Sequence, residues 1–402
     1  MRVAQRERPQ HGMHRRELAA PATLAGMDGE PTAAAATAAL PDLRDLTREA
    51  LREFVVARGE PAYRGEQVFR WIWRHGARSF DEMTSLPSSL RERLAGSARI
   101  GTPVIDRVDT STDGTRKVLL RLADGRRVET VLIPDGDRLT LCISSQVGCA
   151  LACAFCATGT MGLARHMRPG EIVSQVLAAQ ELVLGPDAGR RADPQRRPVT
   201  NIVMMGMGEP LHNYDGTLAA LRILTDETAF GYAPARITVS TVGLIPQMLA
   251  LGAALPVRLA VSLHAADPGT RRRLLPIDRR YPMEDVLAAC RRFPLKTRER
   301  MTFEYTLLRG VNDRELDATN LAAALTGLRC KVNLLAFNEH EGAPFERPDD
   351  AAVRAFADRL RALGVDAFVR TTRGRDIAAA CGQLAVGPRR GGERDAAGLP
   401  AV

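Results

Sequence analysis

The segment Cys149-Ala150-Leu151-Ala152-Cys153-Ala154-Phe155-Cys156 sets three cysteines in eight residues, spaced C-x3-C-x2-C. Three thiolates so spaced can hold three irons of a cuboidal iron–sulfur cluster and leave the fourth iron without a protein ligand. An open iron binds a substrate or cofactor, so the spacing points to chemistry and not only to electron storage. The other reading is a zinc knot. Structural zinc wants four ligands, usually as two pairs, and no second pair follows here.

With an aromatic residue just before its last cysteine, the segment resembles the signature of the radical S-adenosylmethionine (SAM) superfamily. That resemblance implies a 4Fe-4S cluster held by Cys149, Cys153 and Cys156. It implies further that the open iron chelates SAM, whose cleavage gives a 5′-deoxyadenosyl radical. In such enzymes the protein binds and orients while the cofactor carries the difficult step.

The chain has 402 residues, which gives room for one large domain and a smaller one. No run of about 18 or more apolar residues occurs, so no membrane span is expected. An N-terminus without an apolar signal core points to the cytoplasm. Seven cysteines, an odd number with three in one cluster, do not read as a disulfide framework. Lys and Arg total 56 against 47 Asp and Glu, a formal charge of +9. That excess favours a polyanionic partner such as RNA, although an Arg- and Ala-rich chain also follows from a GC-rich genome.

Residues 1–40 and 388–402 have no sustained apolar period and read as disordered tails. A helical accessory domain is expected over 41–97: Leu46-Thr47-Arg48-Glu49 starts a helix, Val68, Phe69, Ile72 and Trp73 recur at helical spacing, and Leu90 and Leu94 mark a last helix. Over 98–137 a β-rich connector is expected, with Val118, Leu120 and Leu122 leading to a turn at Asp124-Gly125, and Val128, Thr130 and Leu132 returning. From 138 to 387 strands alternate with helical patterns. The strand candidates are 139–144, 199–205, 237–241, 259–264, 303–308, 332–337 and 367–370. Such alternation implies α/β architecture with parallel strands and right-handed crossovers. Six or so units are too few for a closed eight-strand barrel, so a partial (β/α)6 barrel is expected.

Polar residues gather where these strands end: Ser144 and Ser145, then Gly206-Met207-Gly208-Glu209-Pro210, Ser240, Ser262 with His264, and Asn338. Sites in α/β barrels form at the carboxyl ends of the strands. The glycines of the second group would let a ligand approach the backbone, and Glu209 would accept from an ammonium group. Taken alone, Cys142 and Cys381 read as small buried residues. Arg190, Arg191, Arg196, Arg197 and the run Arg271–Arg273 are candidate phosphate contacts.

Val128-Glu129-Thr130-Val131, the run 142–149, Met204–Pro210, Ser262-Leu263-His264 and Ala380-Cys381-Gly382-Gln383-Leu384 occur in that order. Together they resemble the dual-specificity radical SAM methyltransferases of bacteria, over roughly residues 40–386. The resemblance implies methylation of adenine C2 in 23S rRNA and in the tRNA anticodon loop, with two SAM molecules per turnover. Gly208, Glu209, Ser240, Ser262, Leu263, His264 and Asn338 would then contact SAM. Cys381 would carry the methyl group and, as a methylene radical, add to C2; Cys142 would release the covalent adduct by forming a disulfide. Glu129 matches a general base. The resemblance also implies a monomer that takes electrons from a donor such as flavodoxin. Adenine C2 is unreachable in a stacked helix, so the base must be flipped or presented in a loop.

A related C8 methyltransferase that confers antibiotic resistance shares the cluster and both cysteines; the intact Gly-Glu-Pro after Met207 favours C2. A zinc-stabilised RNA-binding protein without catalysis is the rival of another class. The isolated three-cysteine loop and Cys381 speak against it.

Overall fold

The computed structural model describes residues 40–185 and 198–386. Apart from Leu40, the expected tails lie outside these residues, as do Arg190, Arg191, Arg196 and Arg197. Helices α1 (Arg48–Val56), α2 (Ala62–Trp73) and α3 (Ser88–Ser97) come first. Thr47 caps α1, its side chain accepting from the Ala50 N–H. Val68, Phe69, Ile72 and Trp73 are buried along α2, as their spacing predicts. Asp45 accepts from the Gly170 N–H at 3.1 Å, and Arg44 donates to Ser174 Oγ at 3.1 Å, which docks this helical segment onto α4 (Pro169–Leu184).

The main sheet runs β1 (Val104–Thr110), β2 (Arg116–Arg121), β3 (Arg127–Asp135), β4 (Arg138–Cys142), β7 (Asn201–Met204), β8 (Ile237–Thr241), β9 (Arg258–Ser262), β10 (Met301–Leu307), β11 (Cys330–Ala336) and β12 (Ala367–Val369), in that spatial order. The first four strands pair antiparallel. From β4 to β12 every pairing is parallel, with helices in the crossovers. The connector strands are therefore one continuous sheet with the partial barrel. A two-stranded sheet, β5 (Gln146–Gly148) with β6 (Leu163–His166), flanks the cysteine loop and was not expected.

Alternation along the strands separates two faces. Phe303, Tyr305 and Leu307 of β10, and Val332, Leu334 and Ala336 of β11, are buried in the core. Thr302, Glu304 and Thr306, with Lys331, Asn333 and Leu335, take the opposite, concave face. Parallel register sets Glu304 beside Ser262 on one side and Asn333 on the other. Side-chain chemistry is thus stacked in rows across the inside of the barrel.

Candidate active site

At the carboxyl ends of the strands a cavity is lined by Cys149, Cys153, Cys156, Gly208, Glu209, Ser240, Ser262, His264, Asn338 and Cys381. The fold thus brings these expected residues into one place. Cys142, Glu129 and Leu263 do not line it. Leu263 is a fully buried core residue that presents only its backbone, its N–H donating to the Glu304 carbonyl.

The cysteine loop is held at both ends. The Cys149 N–H donates to the Gly162 carbonyl at 2.8 Å, the Ala154 N–H to Leu274 at 2.9 Å, and the Ala157 N–H to Gly382 at 2.8 Å. Burial raises the Cys149 thiol to about 11, with Glu209 and Cys156 adding to the rise, and pushes Cys153 well up, with Cys156, Cys149 and Glu209 adding to it. All three thiols line the one cavity. Among the described residues no three Cys, His, Asp or Glu side chains converge at the spacing of a single metal ion. A cuboidal cluster puts each thiolate on a different iron and holds the sulfurs farther apart than one ion does. Three thiols of one loop lining a shared cavity suit that donor set; the fourth thiol lining it, Cys381, comes from a separate segment.

Glu209 is buried, and burial lifts its carboxyl to about 7. Its two oxygens accept from the Leu211 N–H and the Val242 N–H, both at 3.0 Å. An ammonium group in the cavity would hold this carboxylate ionised. The glycines around it serve the chain's own packing rather than ligand approach. A Cβ on Gly206 would meet Ser144 Oγ at 2.7 Å, and one on Gly208, at φ +95°, would meet the Gln146 side chain at 2.4 Å. Gln146 Oε1 in turn accepts from the Glu209 N–H at 2.8 Å. Ser144 likewise belongs to the frame: its hydroxyl donates to the Glu129 carbonyl at 2.6 Å and accepts from the Met207 N–H at 2.8 Å.

His264 sits in the left-handed region at φ +56°. Its Nδ1 accepts from the Thr306 N–H at 3.0 Å, and burial, with Arg271 nearby, lowers its pKa to about 3. The ring is therefore neutral, with its proton on Nε2. Ser240 Oγ and Ser262 Oγ lie 3.4 Å apart. Asn338 donates from Nδ2 to the Cys381 carbonyl at 3.2 Å, while its buried Oδ1 has no partner. A buried acceptor left open in a cavity is costly unless a ligand fills it. With Glu209, the serines and His264, it fits a ligand of SAM's mixed polarity.

All seven cysteines are free thiols, and Cys381 is the exposed one. It faces the cavity yet is surrounded closely enough that its thiol is pushed well above the ordinary value, by burial first and then by Cys142, Glu304 and Cys156. Cys142, at the end of β4, is buried, and burial raises its thiol to about 12.

Two of the residues singled out in the sequence stand in buried ion pairs. Glu129 is buried on β3, where it pairs with Lys117 Nζ at 3.2 Å and accepts from the Ala385 N–H at 3.1 Å. Lys117 also donates to the Ala378 carbonyl at 3.4 Å. Glu129 thus reaches one flank of the Cys381 segment, at Ala385, and Lys117 the other, at Ala378. Arg271, expected on phosphate, is fully buried in an ion pair with Asp278 and donates to the Val242 carbonyl at 3.1 Å. It thereby fixes the residue whose N–H holds Glu209.

One cavity residue went unread in the sequence. Glu304 is buried on β10, its carboxyl raised to about 7 by burial, and Asn333 Nδ2 donates to it at 2.8 Å. Strand alternation alone places it on the face of Ser262, which is the signal that could have found it.

Residues 41–100 match the family described as the ribosomal RNA large subunit methyltransferase N-terminal domain, and residues 143–322 match the radical SAM superfamily. The chain is 48% identical over 90% of its length to the dual-specificity RNA methyltransferase RlmN of Anaeromyxobacter dehalogenans, covering 98% of that protein. To the RlmN of Geobacter sulfurreducens it is 47% identical over 85% of its length and 91% of that protein. A crystal structure of a radical SAM methyltransferase from Sphaerobacter thermophilus superposes with a TM-score of 0.78 at 46% identity, over 86% of this chain and 99% of the other.

Proposed function

The chain belongs to the RlmN family of radical SAM methyltransferases, and from that premise we propose that it methylates C2 of an adenine in 23S rRNA and in tRNA anticodon loops. The observation that carries a route through a methylated cysteine is Cys381, exposed in the cavity beside the cluster cysteines, with Cys142 buried at the end of β4; the intact Gly-Glu-Pro after Met207 favours C2 over C8.

Cys149, Cys153 and Cys156 hold the 4Fe-4S cluster, which when bound supplies an electron to SAM and so opens radical chemistry. Glu209, Ser240, Ser262, His264 and Asn338 orient SAM, with Glu209 facing its ammonium group. Cys381 carries the methyl carbon to the base. Adenine C2 is electron-poor and cannot take a methyl cation directly, so a carbon held on sulfur and activated as a radical is the chemistry it admits. Cys142 then attacks the Cys381 sulfur: the S–S bond forms as the S–C bond to the base breaks, and the carbon keeps that electron pair and takes a proton, which leaves a disulfide and a methylated base. Lys117 and Glu129 pin the segment on both sides of Cys381 and so set where its sulfur stands. The RNA substrates imply a cytoplasmic protein. We take it to act as a monomer and to receive electrons from a small donor such as flavodoxin. No helix among the described residues is long and apolar enough to cross a membrane.

The test is anaerobic reconstitution with iron and sulfide, incubation with SAM and rRNA, and mass spectrometry of the protein and of digested nucleosides. Expected are a gain of one methyl group on the Cys381 peptide and 2-methyladenosine in the RNA. Cys381→Ala should lose both. Methyl at C8 instead would assign the chain to the related C8 activity.

A further inference from the structure

The concave face carries a second group of residues, none of which lines the cavity. Arg258 opens β9, Lys331 lies near the start of β11, and Arg370 follows β12. Register and alternation turn Lys331 toward the inside of the barrel with Asn333, and Phe368 pairs with Asn333 from β12. β12 is the last strand of the sheet, so this strip runs along the barrel's free edge. Lys331 Nζ sits 5.9 Å from the centre of the Phe368 ring, and that ring is 46% exposed.

Like charges crowd here. Lys331 is held below its ordinary range by burial and then by Arg258, Arg300 and Arg370, with Glu304 the one acid opposing them. Among the described residues no carboxylate lies within 4 Å of a cationic nitrogen of Arg258, Lys331 or Arg370, whereas Arg300 has Asp366. Cations gathered from three strands without acid partners repel one another and weaken the fold, unless an anion is meant to lie among them. Arg370 also bears on the Cys381 thiol, favouring its charged form. The strip therefore begins at the amino ends of the strands and finishes beside the reactive cysteine.

We propose that a single-stranded stretch of the RNA lies along this edge, with its phosphates on Arg258, Lys331 and Arg370 and a base neighbouring the target stacked on Phe368. The inference rests on the reading of RNA as substrate and adds the route by which it reaches Cys381. Cationic grooves that interleave an exposed aromatic ring are how single strands are held without sequence readout.

The experiment measures binding of the full reconstituted protein to an anticodon stem-loop across a salt series. Each phosphate contact to a single strand contributes about 0.7 to the slope of log affinity against log salt. In Arg258→Gln/Lys331→Gln/Arg370→Gln the slope should fall by about 2. Phe368→Ala should weaken binding about ten- to a hundred-fold with the slope unchanged. A control triple, Arg291→Gln/Arg292→Gln/Arg354→Gln, removes equal charge from outer helices and should match the unaltered protein. If the triple variant does not fold, Arg258→Gln alone should still lower the slope by about 0.7. An unchanged slope in these variants would overturn the proposal. So would displacement of RNA by polyglutamate with no effect of Phe368→Ala, which would assign the edge to an acidic polypeptide. If the unaltered protein neither binds nor methylates RNA, the functional reading fails first, and the two failures are thereby told apart.

Discussion

The two halves of the barrel's concave face are built from the same strands and do opposite things with charge. Toward the carboxyl ends, ionisable groups are buried and pushed toward their neutral forms: Glu209 and Glu304 to about 7, Cys142 to about 12, His264 to about 3. Toward the amino ends and along the free edge, Arg258 and Arg370 stay exposed. A radical must be generated where water and stray protons are excluded. A polyanion must be met where charge is plentiful and hydrated. One strand serves both needs because a parallel sheet turns every second residue inward, and its length separates the two zones.

The largest expected effect breaks the carboxyl half at the thiol that the cavity does not see. Cys142→Ala should still accept methylation at Cys381 and should still add to RNA. It should then stall with RNA attached, because release needs a second sulfur. A denaturing gel with labelled RNA would show the cross-linked species. Normal turnover without it would return Cys142 to being an ordinary residue at the end of β4.

Next in size is the support beneath Glu209. Arg271 and Asp278 form a fully buried ion pair, and removing one partner of such a pair costs about 3–5 kcal/mol, since the other charge is left unpaired. Asp278→Ala should lose that much in urea denaturation and should also weaken SAM binding, because Arg271 holds the Val242 carbonyl. The same substitution sharpens the contrast between the two halves. If Arg271 served RNA instead, Asp278→Ala would free it and change the salt slope.

Arg271 also shows where a sequence stops being legible. Three arginines in a row read as a charged surface, and Arg272 is indeed 56% exposed at its side chain. Their helix, Pro268–Leu274, gives them different directions, and the first turns into the core. A run of like residues carries no information on which of them faces inward. Strands were legible for the opposite reason. Apolar residues at every second position of 301–307 and 330–336 can only be satisfied by one buried face, so the barrel and its inward rows follow from the pattern. The cysteine loop was legible because its three ligands are local in sequence. Lys117 with Glu129, Glu304 with Asn333, and Lys331 with Phe368 join residues that only strand order brings together. Matched motifs could name Glu129, but not that its carboxylate is held by Lys117 and Ala385.

The smallest expected effect lies on the boundary between the halves, at Glu304. Its carboxyl lines the cavity, yet Arg370 and Lys331 of the basic edge both pull its pKa down against a larger rise from burial. The net folded value, about 7, stands above the ordinary 4.5. A raised carboxyl holds its proton more tightly in the folded protein than in the unfolded chain. Its stabilising contribution is therefore complete below pH 4.5 and is lost as the pH rises through about 7. The loss is at most on the order of 3 kcal/mol, because a tenfold difference in proton affinity between the folded and unfolded chain is worth about 1.4 kcal/mol. Glu304→Gln keeps the shape and an acceptor for Asn333 but cannot ionise. It should match the unaltered protein in denaturant midpoint at low pH and exceed it increasingly up to about pH 7, with no further gain beyond. Combining it with Lys331→Gln places the boundary. If the basic edge moderates the acid, Lys331→Gln alone should steepen the loss of stability with pH, and Glu304→Gln should abolish that added slope. Two independent, additive effects would mean that the halves of the face do not communicate, and that Glu304 belongs to the cavity alone.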